Sequence, residues 1–190
     1  MTFLELVNKR CSVRKYDPSP VPREIIDRCL EAARLAPSAC NSQPWRFVVV
    51  DDAALRRKLA EAAFSGVYSM NSFAKEAPVL VVAVRERSTR FAAFGALFRG
   101  LQYNLIDIGI ACEHFILQAA SEDVGTCWLG WFDEGAVKKV LGIEKGKKAD
   151  IIISMGYPQK GTCPEKARMP LSEISGYNPR PLEKIKLFLK

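Results

Sequence analysis

Apolar residues recur at helical spacing in several stretches of the chain. The clearest is PREIIDRCLEAARLAP, which has one apolar face and in which Pro22 is expected at the first helical position. TFLELVNKR opens the chain as a short helix with Thr2 and Glu5 as a capping box. DDAALRRKLAEAA and DEGAVKKVLGI each begin with an aspartate as N-cap. QYNLIDIGIACEHFILQAAS is apolar around most of its circumference, which predicts a central helix that also serves as an interface helix.

Apolar runs of strand length alternate with these helices. RFVVV and KADIIISMGYP are rich in β-branched residues, and GTCWLGWF reads as a short strand between two turns. APVLVVAVRE is apolar throughout, so both of its faces should be buried. Because strands are few and helices many, the pattern predicts an α+β or layered α/β domain around a small sheet.

Bulk properties limit the classes of function. A chain of 190 residues suits a single domain, 1–190. The net charge is +7, but the cations are dispersed and form no basic tail, which argues against a nucleic-acid partner. No apolar run reaches the length of a membrane span and no secretory signal is present, so the expected location is the cytoplasm, with no membrane partner.

The chain has few of the residues that metal sites and protein-only catalysis require. Its six cysteines form no CxxC and are accompanied by one histidine, which favours free thiols in a reducing compartment over a metal site. His114 lies in an apolar helix, where a packed structural role is expected. GxGxxG, GxxxxGK[ST] and GxSxG motifs are absent. An enzyme with this sequence would therefore take its chemistry from a bound cofactor.

Polar stretches that interrupt the apolar pattern are the candidates for such a site. In KRCSVRK, an extended backbone would place Arg10, Ser12 and Arg14 on one face, where two guanidiniums and a hydroxyl suit a phosphate. The same cluster is equally compatible with an exposed basic turn. PSACNSQPW and KARMP, the latter with the cations Lys166 and Arg168, are the other candidates.

The first of these stretches belongs to a longer resemblance. RCSVRKYDPSPVPREIIDRCLEAARLAPSACNSQPWRFVVV resembles the N-terminal half of the flavin-dependent nitroreductase family, in its R-x-S-x-R-x-[FY] opening, its helix ending in APS and its N-x-Q-P-W-x-F segment. DIGIACEHFILQAASEDVGTCWLGWF, DIIISMGYP and KARMPLSEI resemble the central helix and flavin loop, the last core strand and the basic segment of that family. Cys11 stands where the family frequently has a basic residue, which puts the strength of the phosphate grip in doubt.

The resemblance implies a fold, a cofactor and a set of residues. The fold class it implies is α+β, a nitroreductase-like three-layer fold in which helices flank a small, mainly antiparallel central sheet. Two such subunits would form an intertwined homodimer with FMN at the interface. The implied FMN-binding residues are Arg10, Ser12, Arg14, Lys166 and Arg168 in one subunit, Pro37, Ser38, Ala39 and Asn41 from the partner subunit, and Leu129 and Gly130 near flavin N5. The segment 176–190 is expected to be a C-terminal arm on the partner, with a fraying helix as the alternative.

The resemblance also implies a reaction. NADH or NADPH would reduce the flavin through N5, and a small electron-poor acceptor such as a nitroaromatic or a quinone would then be reduced in a ping-pong cycle, without a catalytic side chain. Other flavin reactions on the same fold, namely dehalogenation, ene-reduction and flavin breakdown, and a non-enzymatic flavin-binding role, stay open as alternatives.

Overall fold

The computed structural model describes residues 1–86, 101–161, 163 and 165–177. Within these ranges the chain forms a four-stranded sheet in the order β1-β2-β4-β3. The strands are β1 (Trp45–Val50), β2 (Val79–Arg85), β3 (Gly125–Leu129) and β4 (Lys148–Gly156). All neighbouring strands are antiparallel, so the predicted small antiparallel sheet is confirmed.

Helices precede, connect and follow these strands. They are α1 (Phe3–Lys9), α2 (Arg23–Arg34), α3 (Ala53–Ala63), α4 (Tyr103–Ser121), α5 (Glu134–Leu141) and the short α6 (Leu171–Ile174). The capping box of Thr2 and Glu5 is confirmed, and Asp52 and Asp133 cap α3 and α5. Pro22 was predicted at the first helical position of α2. It is instead the N-cap, because its ψ of 140° is extended.

The helices cover both faces of the sheet. Leu80 and Val82 of β2 belong to a buried cluster that α3 and α5 complete. Val81 and Ala83 point to the opposite face and pack against α2 and α4. Because alternate residues of a strand face opposite sides, β2 is buried on both, as its sequence predicts. The predicted three-layer arrangement is therefore confirmed.

Helix α4 is central, as predicted, but it is not fully covered within this subunit. Cys112 and Phe115 are completely buried, whereas Leu105 and Ile106 near its N-terminal end are 42% and 51% exposed. The Nδ1 atom of His114 lies 3.2 Å from the carbonyl oxygen of Ala32, which is consistent with the expected packed role. The exposed apolar residues leave an uncovered apolar surface at this end of the helix.

Two features of the fold differ from the sequence predictions. A 3-10 helix, Gly66–Glu76, follows α3 where no element is predicted. Cys11 and Cys163 form a disulfide, so the prediction of free thiols is wrong for these two and holds for the other four cysteines. They lie 152 positions apart, and their pairing depends on a tertiary approach that local sequence does not encode.

Two expectations concern the chain as a whole. No helix in the described ranges is long and apolar enough to cross a membrane. Of the predicted arm, residues 178–190 lie outside the described residues, and the preceding two are exposed.

Candidate functional site

The basic segment, residues 10–14, lies alongside β3. The N–H of Val13 donates to the carbonyl oxygen of Thr126 at 2.9 Å, and Ser12 forms a parallel bridge with the same residue. Gly125 permits this approach, because a Cβ there would stand 2.5 Å from the Val13 side chain. The Tyr16 hydroxyl donates to the Val13 carbonyl oxygen at 2.7 Å. The backbone of the segment is thus fixed by hydrogen bonds from both sides.

The polar side chains of the basic segment lie close to Cys127 of β3. Burial raises the pKa of the Cys127 thiol, and the charges of Arg14 and Arg10 and a hydrogen bond with the Ser12 side chain oppose that rise. Cys11 bonds to Cys163. The three residues predicted to contact the cofactor are therefore near one another.

The second pair of predicted cations lies near the first. Lys166 Nζ donates to the carbonyl oxygens of Val7 and Asn8 at the C-terminal end of α1. Burial lowers the pKa of Lys166, and the neighbouring charges of Arg10 and Arg168 lower it further. The structure thus brings the two basic stretches together, although they are far apart in the sequence.

Some other basic residues of the chain have carboxylate partners. Lys9 pairs with Asp123 at 2.7 Å, and Arg28 forms a two-pronged pair with Glu122. Among the described residues, no carboxylate forms a salt bridge with any member of the cation cluster, which we define as Arg10, Arg14, Lys166 and Arg168. Such a concentration of like charge favours the binding of an anion.

The loop 37–43 is organised by a residue that sequence analysis missed. Asp107 of α4 is only 3% exposed, and its carboxylate accepts hydrogen bonds from Ala39 N at 3.1 Å and Ser42 Oγ at 3.3 Å. Ser38 Oγ accepts from the N–H of Gln43 at 3.0 Å. The available signal was Asp107 itself, one of two acidic residues in the largely apolar sequence of α4.

The same loop has an unusual backbone and a separate position. Cys40, Asn41 and Gln43 have φ values of 52°, 51° and 44°, a region that residues other than glycine rarely adopt. Among the described residues, no hydrogen bond or ion pair links residues 37–43 to residues 10–14. The structure therefore does not join these two sets of predicted residues within one subunit.

The predicted N5 loop, Leu129–Trp131, is held by the 3-10 helix. Asn71 Nδ2 donates to the Trp131 carbonyl oxygen at 2.9 Å, and Trp131 Nε1 donates to the Val67 carbonyl oxygen at 3.0 Å. The rings of Tyr68 and Trp131 lie 5.2 Å apart. A Cβ at Gly130 would meet nothing within 4 Å in this chain, so the packing of one subunit does not require that glycine.

The subunit has a cavity that is separate from the predicted cofactor-binding residues. It has a volume of ≈ 690 Å³, and its lining includes Pro18, Arg56, Glu61 and Lys75. None of the predicted cofactor-binding residues lines it. Size alone therefore does not identify the cofactor site in an isolated subunit.

The chain is similar to known proteins over most of its length. Residues 7–157 match the family model described as Nitroreductase family. An NADH dehydrogenase of Thermus thermophilus is 31% identical over 198 residues, covering 87% of this chain and 91% of that protein. Iodotyrosine deiodinase 1 of Homo sapiens is 30% identical over 197 residues, covering 90% of this chain and 67% of that protein. A nitroreductase family protein of Clostridium difficile 630 has a TM-score of 0.75 and 28% identity, covering 94% of this chain and 99% of that one.

Proposed function

The chain belongs to the nitroreductase family of NAD(P)H-dependent flavin oxidoreductases, and we propose that its flavin is FMN and its acceptors are electron-poor aromatic molecules. The observation that carries the choice of FMN is the cation cluster, which has no carboxylate partner among the described residues. A phosphate monoester carries about −1.5 to −2 charges at pH 7, so it is a matching ligand.

The residues present suit this ligand. Arg10 and Arg14 offer planar donor groups for charge-assisted hydrogen bonds, and the Ser12 hydroxyl lies near them. Lys166 is anchored to carbonyl oxygens of α1 and thereby keeps its charge beside Arg10. A cation near the pyrimidine edge of a flavin would also stabilise negative charge on the reduced ring.

When bound, FMN would accept a hydride from NADH or NADPH at N5 and pass the electrons to a nitroaromatic, a quinone or a similar acceptor. The chain's own part is to position the ring and the acceptor. Leu129 and Gly130 would lie at N5, where the exposed Gly130 leaves room for a flat molecule. Asn71 keeps this loop in place through Trp131.

The proposal includes a homodimer in which the partner completes each site. Pro37, Ser38, Ala39 and Asn41 would come from the partner subunit, which is consistent with the lack of hydrogen bonds between that loop and residues 10–14 of the same chain. The exposed Leu105 and Ile106 of α4 supply apolar surface for the contact. The segment 176–190 would extend over the partner, and the dimer would act in the cytoplasm.

The test begins with the absorbance spectrum of the purified protein and identification of the released chromophore. We expect oxidised flavin bands that NAD(P)H bleaches, a released compound identified as FMN, and turnover of a nitroaromatic with NADH or NADPH. A protein that neither contains nor takes up FMN would contradict the proposal, and FMN binding without turnover of any acceptor would favour a non-enzymatic flavin-binding role.

A charge substitution tests the cation cluster directly. Arg10→Ala should weaken FMN binding by roughly tenfold or more, since charge-assisted hydrogen bonds contribute about 1.5–3 kcal/mol. Arg57→Ala removes the same charge from an exposed position on α3 and should leave the Kd for FMN unchanged. Equal effects of the two substitutions would show that only net charge matters.

Reductive dehalogenation is the second candidate reaction. It is favoured by the match to iodotyrosine deiodinase 1, which extends over 90% of this chain. Release of halide from a halogenated phenol under the same assay conditions would support it. Turnover of nitroaromatics without any halide release would exclude it for the phenols tested.

A further inference from the structure

The Cys11–Cys163 disulfide connects the two parts of the cation cluster. Cys11 lies between Arg10 and Ser12, and Cys163 precedes Lys166 by three positions. We infer that this disulfide is a site of thiol–disulfide exchange, and that its opening by a dithiol reductant weakens the binding of the flavin phosphate. The inference rests on the proposed function, because it concerns the same anion site.

The tail segment, which we define as residues 160–177, has few other attachments to the body of the protein. Among its described residues Lys166 alone is half-buried, and the others are exposed. Just before it, Gln159 donates from its backbone to the Lys15 carbonyl oxygen at 3.1 Å and from its side chain to the Tyr16 carbonyl oxygen at 2.9 Å. Beyond that point, the described residues of the tail segment are linked to the body by the disulfide and by the Lys166 hydrogen bonds to α1.

The covalent link and the Lys166 hydrogen bonds to α1 therefore together keep Lys166 and Arg168 beside the basic segment. A tether that keeps two groups close raises the effective concentration of one at the other, and this advantage falls when the tether is released. Burial and then the neighbouring charge of Arg10 lower the pKa of Lys166, so Lys166 is repelled by the basic segment that it lies beside. Once the disulfide opens, this repulsion favours departure of the tail segment from the basic segment. The phosphate then loses part of its ligand set.

The disulfide is accessible, unlike most of the free thiols. Cys163 is exposed, and a cavity of ≈ 110 Å³ is lined by both of the bonded cysteines. Cys29, Cys112 and Cys127 are buried, and burial raises the pKa of each thiol, to about 12 for the first two, which makes them poor nucleophiles. A dithiol reagent can therefore reach the Cys11–Cys163 bond, and the buried thiols are poorly placed to exchange with it.

The exchange step balances with the dithiol as reductant. One thiolate of the reductant attacks the exposed Cys163 sulfur, the bond to Cys11 breaks, and the Cys11 sulfur leaves as a thiolate that takes up a proton. The second thiol of the reductant then displaces Cys163 from the mixed disulfide. Two electrons and two protons pass to the protein, and the reductant becomes a cyclic disulfide. In a reducing compartment, disulfides are usually transient and redox-sensing, which suits a reversible site.

The experiment compares FMN binding by the oxidised and the reduced wild-type protein. Thiol titration of the denatured chain should give four free thiols before treatment with dithiothreitol and six after it, from the six cysteines of the chain. After removal of the reagent without air, flavin fluorescence should report a Kd about tenfold higher for the reduced protein, with recovery on reoxidation. Without FMN, trypsin should cleave at Lys160, Lys166 or Arg168 several-fold faster in the reduced protein.

Variants assign the effect to this bond. The double variant Cys11→Ser and Cys163→Ser should bind FMN like the reduced wild-type protein, with or without dithiothreitol. Cys29→Ala, which removes a free thiol of α2 outside the proposed flavin site, should keep the full redox dependence. Equal Kd values in the two verified states of the wild-type protein, or six free thiols after oxidation, would overturn the inference and leave the proposed function standing. A lack of FMN binding in both states would overturn both.

Discussion

In β2 every residue from Val79 to Val84 is buried, whereas no described residue from Gln159 to Tyr177 is. The strand is held by many apolar contacts on both faces, so no single contact determines its position. The described residues of the tail segment are held by one disulfide and the hydrogen bonds of one lysine. The comparison shows how one chain combines a rigid sheet with proposed cofactor-binding residues that depend on a few polar or covalent links.

The largest expected effect is a cavity in the centre of the sheet. Ile152 of β4 is completely buried, so Ile152→Ala should lower the free energy of unfolding by about 2–5 kcal/mol. Leu171→Ala in the tail segment removes a side chain that is 72% exposed. This substitution should change the free energy of unfolding by less than about 0.5 kcal/mol. Both are measured by guanidinium unfolding at a fixed protein concentration. Similar losses would break the comparison, because they would mean that another surface covers the tail.

The next effect concerns the loop 37–43. Asp107→Ala would leave the partly buried N–H of Ala39 and the Ser42 hydroxyl without their hydrogen-bond partner. The expected loss of stability is about 1–3 kcal/mol, and the Kd for FMN should rise. Asp107→Asn keeps one oxygen acceptor, so it should lose less stability and less FMN affinity than Asp107→Ala. If the alanine variant retained wild-type FMN affinity, the loop would not belong to the flavin site.

A smaller effect is expected where the core supports the basic segment. The buried Tyr16 hydroxyl lies 2.7 Å from both the Val13 carbonyl oxygen and Ser154 Oγ. Tyr16→Phe should lower the free energy of unfolding by about 1–2 kcal/mol and weaken FMN binding. Tyr177→Phe, at a side chain 87% exposed, is the matched control and should change neither quantity. Weaker binding without loss of stability would assign the tyrosine to the site rather than to the core.

The smallest effect is the pH dependence of a surface pair. Arg28 donates two hydrogen bonds to Glu122, which lower the carboxyl pKa from its ordinary value of 4.5. The folded state therefore binds fewer protons than the unfolded state near that value, so this contribution to stability is present above pH 4.5 and is lost as pH falls through the lowered pKa. Glu122→Gln should lower the melting temperature slightly at pH 7, and by less as the pH falls below 4.5. A difference that does not shrink with falling pH would have another cause.

The parts of the fold that depend on local pattern were predictable from the sequence. The apolar runs of β2 and β4 and the helical periods identify their elements, because burial on both faces or on one face leaves a direct mark on the residue types. The caps at Thr2, Asp52 and Asp133 were equally readable. The nitroreductase resemblance, which the family match confirms, added the three-layer arrangement and the class of enzyme.

The rest depends on contacts between distant residues. Asp107 is recognisable as important only when loop 37–43 is seen against α4. The pairing of Cys11 with Cys163, among six cysteines, follows from where the tail segment passes. Asn71 stands in a 3-10 helix, whose short hydrogen-bonded turns leave a weak periodic signal. The roles of the predicted FMN residues stay predictions, to be tested by the binding experiments.

The approach of Val13 to Thr126 has a consequence for the behaviour of the protein at high concentration. Since β3 is the last strand of the sheet, its outer backbone groups would be free to pair with another chain. The basic segment lies at that edge, and Val13 N–H takes the Thr126 carbonyl oxygen. The residues proposed to bind phosphate thus also block edge-to-edge aggregation. A substitution that detaches the basic segment from β3 should therefore cause turbidity on warming, independently of any change in turnover.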